Sequence, residues 1–271
     1  MGVRIPVVAV VGHKKSGKTL IIEGIVRGLI EEGLRVATAK HISQKSFSMD
    51  TKGKDTWRHA EAGANPVIAV SDREISILLK DGVQSLTLDY LFKFISDADV
   101  ILLEGFSTLI LNEKKIGKIL CVRDRGEYEE YKEKTSGETI AFCSLEPLGE
   151  PILRIREEQS ILINQTLNFI RRERSILEIL SQLPGLDCRK CGRTSCEELA
   201  EDIYAGKANI NDCLPLKHKT ELKTEITIGE KSIPLQPFVS EIIRNSVLGM
   251  ISTLKGTSIK GNERLHIKIS E

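Results

Sequence analysis

Val7-Val8-Ala9-Val10-Val11-Gly12-His13-Lys14-Lys15-Ser16-Gly17-Lys18-Thr19 is the stretch whose reading decides the fold. Gly12 to Thr19 satisfy G-x-x-x-x-G-K-[ST] in full. The apolar, mostly β-branched run before them suits a strand buried on both faces. After them, Leu20, Ile21, Ile25, Leu29 and Ile30 recur at helical spacing, and Gly33 supplies a stop signal. Strand, glycine loop and helix thus come in the order that aims successive backbone N–H groups at phosphate oxygens. Gly12 and Gly17 allow the tight path, and His13, Lys14, Lys15 and Ser16 complete the cradle. Lys18 would reach the β- and γ-phosphates, and the Thr19 hydroxyl would sit on Mg²⁺. The stretch predicts a nucleoside triphosphate site on an α/β fold.

The rest of the N-terminal half extends this pattern. Short apolar runs at 35–39, 67–70, 74–79, 100–103, 119–122 and 139–143 read as strands, with helical segments at 57–62 and 86–95. Such alternation predicts a P-loop NTPase with a mostly parallel sheet and helices on both faces. Ligands of these sheets gather at the carboxyl ends of strands, where Lys40, His41, Glu104, Arg123 and Asp124 fall. Asp99 and Glu104 bracket one strand, but only Glu104 lies at its carboxyl end. It is the expected Walker B-type acid, catalytic with Lys18, holding Mg²⁺ through water or polarising a nucleophilic water. Asp50 and Asp55 occupy the polar segment 43–55, where a γ-phosphate sensor would lie. Asp124 would accept from guanine N1–H and N2–H₂ with Arg123 packed on the base, or else open an ordinary turn at Arg125-Gly126-Glu127.

Composition narrows the partners. With 39 basic and 38 acidic residues the net charge is +1, so no overall field favours nucleic acid, and 4% aromatic content is low for base stacking. No run approaches the roughly 18 apolar residues of a membrane span. A cytoplasmic protein without nucleic-acid or membrane partners is expected. Of six cysteines, four crowd into 188–213 as a metal site does in a reducing compartment. Cys188, Cys191, Cys196 and Cys213 give C-x₂-C-x₄-C-x₁₆-C. Three close thiolates and one distant one suit a [4Fe–4S] cubane, with tetrahedral zinc as the alternative. Cys121 and Cys143, inside apolar runs, read as packing residues. A long helix over 159–183 ends at Pro184-Gly185, and its Arg171-Arg172-Glu173-Arg174 run reads as a solvated face. Beyond the cysteines come a hairpin about 229–231, a helix over 238–254 and an alternating strand at 265–269. The expected organisation is a nucleotide-binding domain over 1–170, a linking helix over 171–185, a four-cysteine domain over 186–219 and an α+β module over 220–271.

Several motifs in order carry a family resemblance. Lys40-His41, then Asp50, Gly53-Lys54-Asp55-Thr56, Ala62-Gly63-Ala64 and Glu104-Gly105-Phe106 resemble the molybdopterin-guanine dinucleotide biosynthesis protein B (MobB) family over roughly residues 5–170. The resemblance implies a GTP-binding homodimer with weak GTPase activity, an adapter that works beside a guanylyltransferase in molybdenum or tungsten cofactor synthesis. Molybdopterin or that transferase would be its partner, and the loop 40–54 would meet the second anionic ligand. The family often has a further histidine after the Lys-His pair, where this chain has Ile42-Ser43-Gln44-Lys45, and the chain has no Asn-Lys-x-Asp signature for guanine. Cys191 to Ala200, with Gly206 and Cys213, is similar to a small [4Fe–4S] domain of several anaerobic C1-metabolism and electron-transfer proteins. Two other readings stand: a nucleotide-driven electron-transfer or metal-insertion factor, and a small-molecule kinase whose lid would use Lys114, Lys115, Lys118, Arg123 and Arg125, although a lysine-rich turn there would simply be solvated.

Overall fold

The computed structural model describes residues 5–44, 47–80, 86–95, 97–217, 224–229, 231–233 and 235–254. Strand β1 (Val7–Gly12) passes through the glycine loop into helix α1 (Lys18–Glu31). With β2 (Val36–Lys40), β5 (Val100–Glu104), β6 (Gly117–Cys121), β7 (Thr139–Ser144) and β8 (Ile152–Arg154) it forms a six-stranded sheet in the order β2-β5-β1-β6-β7-β8. Every neighbouring pair is parallel. β1 and β5 are apolar at nearly every position because both of their faces are covered. Val8, Val10, Val100 and Leu102 pack on one side with Ile21, Ile25 and Leu29 of α1 and with Leu162 and Phe169 of α6 (Gln159–Gln182). Val7, Ala9, Val11, Ile101 and Leu103 pack on the other. There they meet α3 (Leu88–Phe92), α4 (Ser107–Ile110) and, through Tyr131, α5 (Arg125–Lys134). The period-2 alternation of β1 therefore feeds two cores.

α2 (Asp55–Glu61) leads to β3 (Val67–Val70) and β4 (Ile75–Leu78). These two strands, expected as candidates for the parallel sheet, instead pair with each other as a separate antiparallel hairpin. A four-residue link is too short for a parallel crossover, and Ser71 accepts from the amides of Arg73 and Glu74 to make the turn.

The segment 107–135 holds α4, β6 and the whole of α5; the strand read at 119–122 is present as β6, and the lysine-rich lid that the kinase alternative needs is not. Lys118, expected in solvent, lies within β6 at 0% exposure. Its ammonium donates to the carbonyls of Glu113 (2.5 Å), Ile116 (2.9 Å) and Ser136 (2.9 Å). A lysine among loop carbonyls is invisible in a one-dimensional pattern, because its acceptors are backbone atoms. The arginine run of α6 is ion-paired as well as exposed. Arg171 meets Glu32 at 2.7 Å, and Arg172 bonds Glu138 and Glu173, the Glu138 bond holding its guanidinium pKa above the usual range.

The chain divides into two compact units, 1–174 and 175–271, with the boundary inside α6. In the second unit, α7 (Cys196–Tyr204), a 3₁₀ turn (Ile210–Asp212) and α8 (Leu214–Lys217) enclose a small core of Ile176, Leu183, Cys196, Leu199, Ala200 and Cys213. β9 (Ile226–Ile228) and β10 (Lys231–Ile233) form the expected hairpin, followed by α9 (Pro237–Ser252). The strand expected at 265–269, with residues 222–223 and Lys45, lies outside the described residues.

Candidate functional site

Backbone geometry builds the loop at the end of β1. Lys15 and Gly17 adopt φ of 66° and 90°, and α1 starts at Lys18 with its first N–H groups facing the loop. Glycine is required at two positions. A Cβ on Gly12 would lie 2.4 Å from the Cys121 carbonyl oxygen, and one on Gly17, besides its positive φ, would lie 2.7 Å from Ile155 Cδ1. Ser16 is buried and its Oγ has no hydrogen-bond partner, a polar atom that a phosphate oxygen would satisfy. Lys18 Nζ bends back to the His13 carbonyl at 2.5 Å, across the mouth of the cradle. Lys14 and Lys15 are exposed.

Opposite the loop stands Glu104, 8% exposed at the end of β5. Its Oε1 accepts from the Thr19 hydroxyl at 3.0 Å and lies 2.9 Å from Lys40 Nζ. Sheet register enforces this meeting, since Lys40 on β2 pairs directly with Glu104 on β5. The His41 amide extends the ladder to the Glu104 carbonyl, and its ring packs on Phe106 at 5.4 Å between centroids. Gly105, at φ 88°, turns the chain so that Phe106 is buried while Glu104 faces the loop. The Lys-His and Glu-Gly-Phe motifs, more than sixty residues apart, are therefore two halves of one contact. A hydroxyl and a carboxylate beside a phosphate cradle are the hard oxygen donors that Mg²⁺ takes.

Other expected residues also serve local structure. Asp50 Oδ1 accepts from the Thr51 amide and the Thr56 hydroxyl, both at 2.8 Å, fixing the approach to α2. Gly53 (φ 89°) and Gly63 (φ 104°) bracket that helix, so the Gly-Lys-Asp and Ala-Gly-Ala motifs are its start and stop. Asp124 is the N-cap of α5, its Oδ1 accepting from the Glu127 amide at 2.8 Å. Sequence reasoning missed Glu127. This buried carboxylate accepts from the Arg123 amide and guanidinium and stands 3.8 Å from His13 Nε2. The D-x-x-E spacing of a capped helix start was the available signal. Ser195 and Glu198 repeat the device at α7, where Ser195 Oγ accepts the Glu198 amide and Glu198 accepts from Thr194.

In the second unit Cys188, Cys191, Cys196 and Cys213 together line one small cavity of about 10 Å³. Among the described residues no group of three His, Cys, Asp or Glu side chains stands as a ready ligand set for a metal ion. Asp187 and Arg189, flanking Cys188, both adopt positive φ (44° and 60°). Asp187 accepts from the Cys196 amide at 2.7 Å, and Arg193 donates to the Cys191 carbonyl and pairs with Asp202. Burial raises the Cys213 thiol pKa, with the other three cysteines adding to it. Four soft thiols around one space fit an iron–sulfur cluster or zinc by donor chemistry.

The family model described as molybdopterin guanine dinucleotide synthesis protein B matches residues 7–144, which run from the first residue of β1 to the last of β7. The chain belongs to the MobB family. A second model, described as "Putative Fe-S cluster", matches residues 183–215 and contains all four clustered cysteines. The "Putative molybdopterin-guanine dinucleotide biosynthesis adapter protein" of Methanocaldococcus jannaschii is 27% identical over 267 residues, covering 98% of each chain. The molybdopterin-guanine dinucleotide biosynthesis adapter protein of Haemophilus influenzae is 34% identical over 125 residues, covering 45% of this chain and 66% of its own. A crystal structure of Bacillus subtilis MobB aligns at 24% identity with a TM-score of 0.46, over 61% of this chain and 98% of that one. The MobB match ends before β8 and α6, so the cysteine segment and α9 lie beyond it.

Proposed function

We propose that this chain is a nucleotide-binding adapter in the formation of molybdopterin-guanine dinucleotide, acting beside the guanylyltransferase, with GTP and Mg²⁺ as its ligands and slow GTP hydrolysis of its own. The observation that carries the reading is the convergence of Thr19, Glu104 and Lys40 at the mouth of the glycine loop. The loop amides would cradle the phosphates, Lys18 would bridge the β- and γ-phosphates, and Thr19 and Glu104 would hold Mg²⁺. The Asp124 carboxylate would accept from the guanine edge. In the second unit Cys188, Cys191, Cys196 and Cys213 would hold a [4Fe–4S] cluster, which would supply one-electron chemistry. Calorimetric titration of anaerobically purified protein with GTP and with ATP, beside iron and sulfide analysis of the same sample, tests both halves. GTP preference with iron and sulfide is expected; ATP preference would remove the adapter reading, and zinc without iron would remove the cluster.

The four thiols favour a second reading, nucleotide-driven electron transfer. It requires the cluster potential to move when nucleotide binds, and the adapter reading requires it to stay.

A homodimer forms part of the proposal, and the β3–β4 hairpin supports it. Register places Ile68 opposite Ile77 and Val70 opposite Ile75, so one face presents four side chains at 57, 55, 73 and 68% exposure. Patches of this kind mark protein contacts. Ile68→Lys with Ile77→Lys should halve the mass in sedimentation while the melting temperature of each protomer changes little. A double variant that still sediments as a dimer places the contact elsewhere. Among the described residues, no helix is long and apolar enough to cross a membrane.

A further inference from the structure

Glu104 is a nearly buried carboxylate, and such a group requires compensation in every state of the protein. The chain supplies a compensating charge of its own. Lys40 Nζ sits 2.9 Å from Glu104 Oε1 and 3.4 Å from Thr19 Oγ1. Those two oxygens are also 3.0 Å from each other, and the ammonium bridges the pair. They are the two side chains that would hold the divalent ion. The β2–β5 register sets Lys40 and Glu104 side by side, which keeps the ammonium within reach of the carboxylate. The Lys40 side chain is half exposed, so it can leave the pair for solvent without disturbing the core.

We propose that Lys40 is the built-in counter-cation of the metal position, occupying it when no nucleotide is bound and excluding a free divalent ion. An ammonium and a divalent cation cannot share Glu104 Oε1 and Thr19 Oγ1, since like charges within a few ångströms repel strongly in a partly desolvated site. The metal therefore enters only when phosphate oxygens add enough negative charge to displace Lys40. The binding order follows: metal arrives with the nucleotide and does not precede it. The displaced ammonium is then free to face the anionic ligand bound above the strand ends. The inference rests on the nucleotide reading for the metal position and for the identity of what displaces Lys40; the exclusion itself is measured on the free protein.

The test uses Mn²⁺ alone as the probe, with unbound Mn²⁺ counted by electron paramagnetic resonance in nucleotide-free full-length protein. Wild type should bind Mn²⁺ weakly at this site. Lys40→Met and Lys40→Gln, which remove the charge and keep much of the stem, should each bind it at least tenfold more tightly. Lys40→Arg should stay as weak as wild type, and adding Glu104→Gln to Lys40→Met should abolish the gain. Equal Mn²⁺ affinity in wild type, Lys40→Met and Lys40→Gln would overturn the proposal. So would an equal gain in Lys40→Arg, which would show that charge is not the cause. Titration of the same wild-type sample with GTP and Mg²⁺ separates the two ideas. Absence of nucleotide binding removes the proposed function, whereas the Mn²⁺ result decides the role of Lys40 by itself.

Discussion

Lys118→Met should lower the unfolding free energy by about 2–3 kcal/mol, because it leaves the buried Ile116 carbonyl without its donor at roughly 1–3 kcal/mol and the part-buried Glu113 and Ser136 carbonyls at less. Methionine approximates the lysine stem, so little of the loss comes from a cavity. The carbonyls of Glu113, Ile116 and Ser136 belong to the segments flanking β6, and the ammonium ties them together from inside. Against a total stability of about 5–15 kcal/mol, such a loss is a large fraction. Denaturant midpoints measure it, and a change below about 0.5 kcal/mol would show that the carbonyls find other donors.

The same residue has a pH signature. Burial lowers the Lys118 pKa from its ordinary 10.5, while Glu113 and Glu138 pull it partly back. The folded chain therefore releases this proton at a lower pH than the unfolded chain does. Between the two pKa values the unfolded state binds more protons, so the contribution of Lys118 to stability increases with pH across that window. Below the folded value the cost of charging the buried amine is present in full. The stability difference between wild type and Lys118→Met should widen as pH rises toward 10.5. A difference that is flat or narrows on the alkaline side would contradict the direction assigned to the burial.

Lys18→Ala should weaken binding of GTP with Mg²⁺ by about 100-fold or more. Hydrogen bonds to charged groups contribute roughly 1.5–3 kcal/mol each, and in the proposed binding mode two phosphates would lose their shared donor. The ammonium now rests on the His13 carbonyl, so its removal leaves the buried sheet intact and the melting temperature of the free protein should hardly move. Binding that weakens less than threefold would take Lys18 out of the phosphate cradle.

What the sequence shows of this molecule and what it hides divide along physical lines. The glycine loop was legible because its chemistry is local: eight consecutive residues dictate a turn, a cradle and a helix start. Glu104 was legible from its place at the end of an apolar strand, and the four cysteines from residue type and spacing. The contact between Lys40 and Glu104 was not, since register between strands that are distant in sequence is a tertiary property. The departure of β3 and β4 from the main sheet escaped for a related reason, because a short apolar run does not declare its partner. Lys118 was misread because a lysine among glycine, isoleucine and leucine resembles a turn charge until the carbonyls around it are placed. Asp124 shows the converse: its position suggested a ligand contact, and its carboxylate also has a helix to cap.

Cys121 and Cys143 stand opposite each other on β6 and β7, sulfurs 3.8 Å apart, with the Cys121 carbonyl tight against Gly12. The hydrogen bond to Cys121, and then burial, hold the Cys143 thiol well above its ordinary pKa, so it is inert while the sheet is closed. Alkylation of such a thiol requires the strands beneath the glycine loop to part, so its rate should follow the population of the opened sheet, and a ligand that stabilises the closed sheet should lower that rate. Mass spectrometry on unlabelled protein would read it.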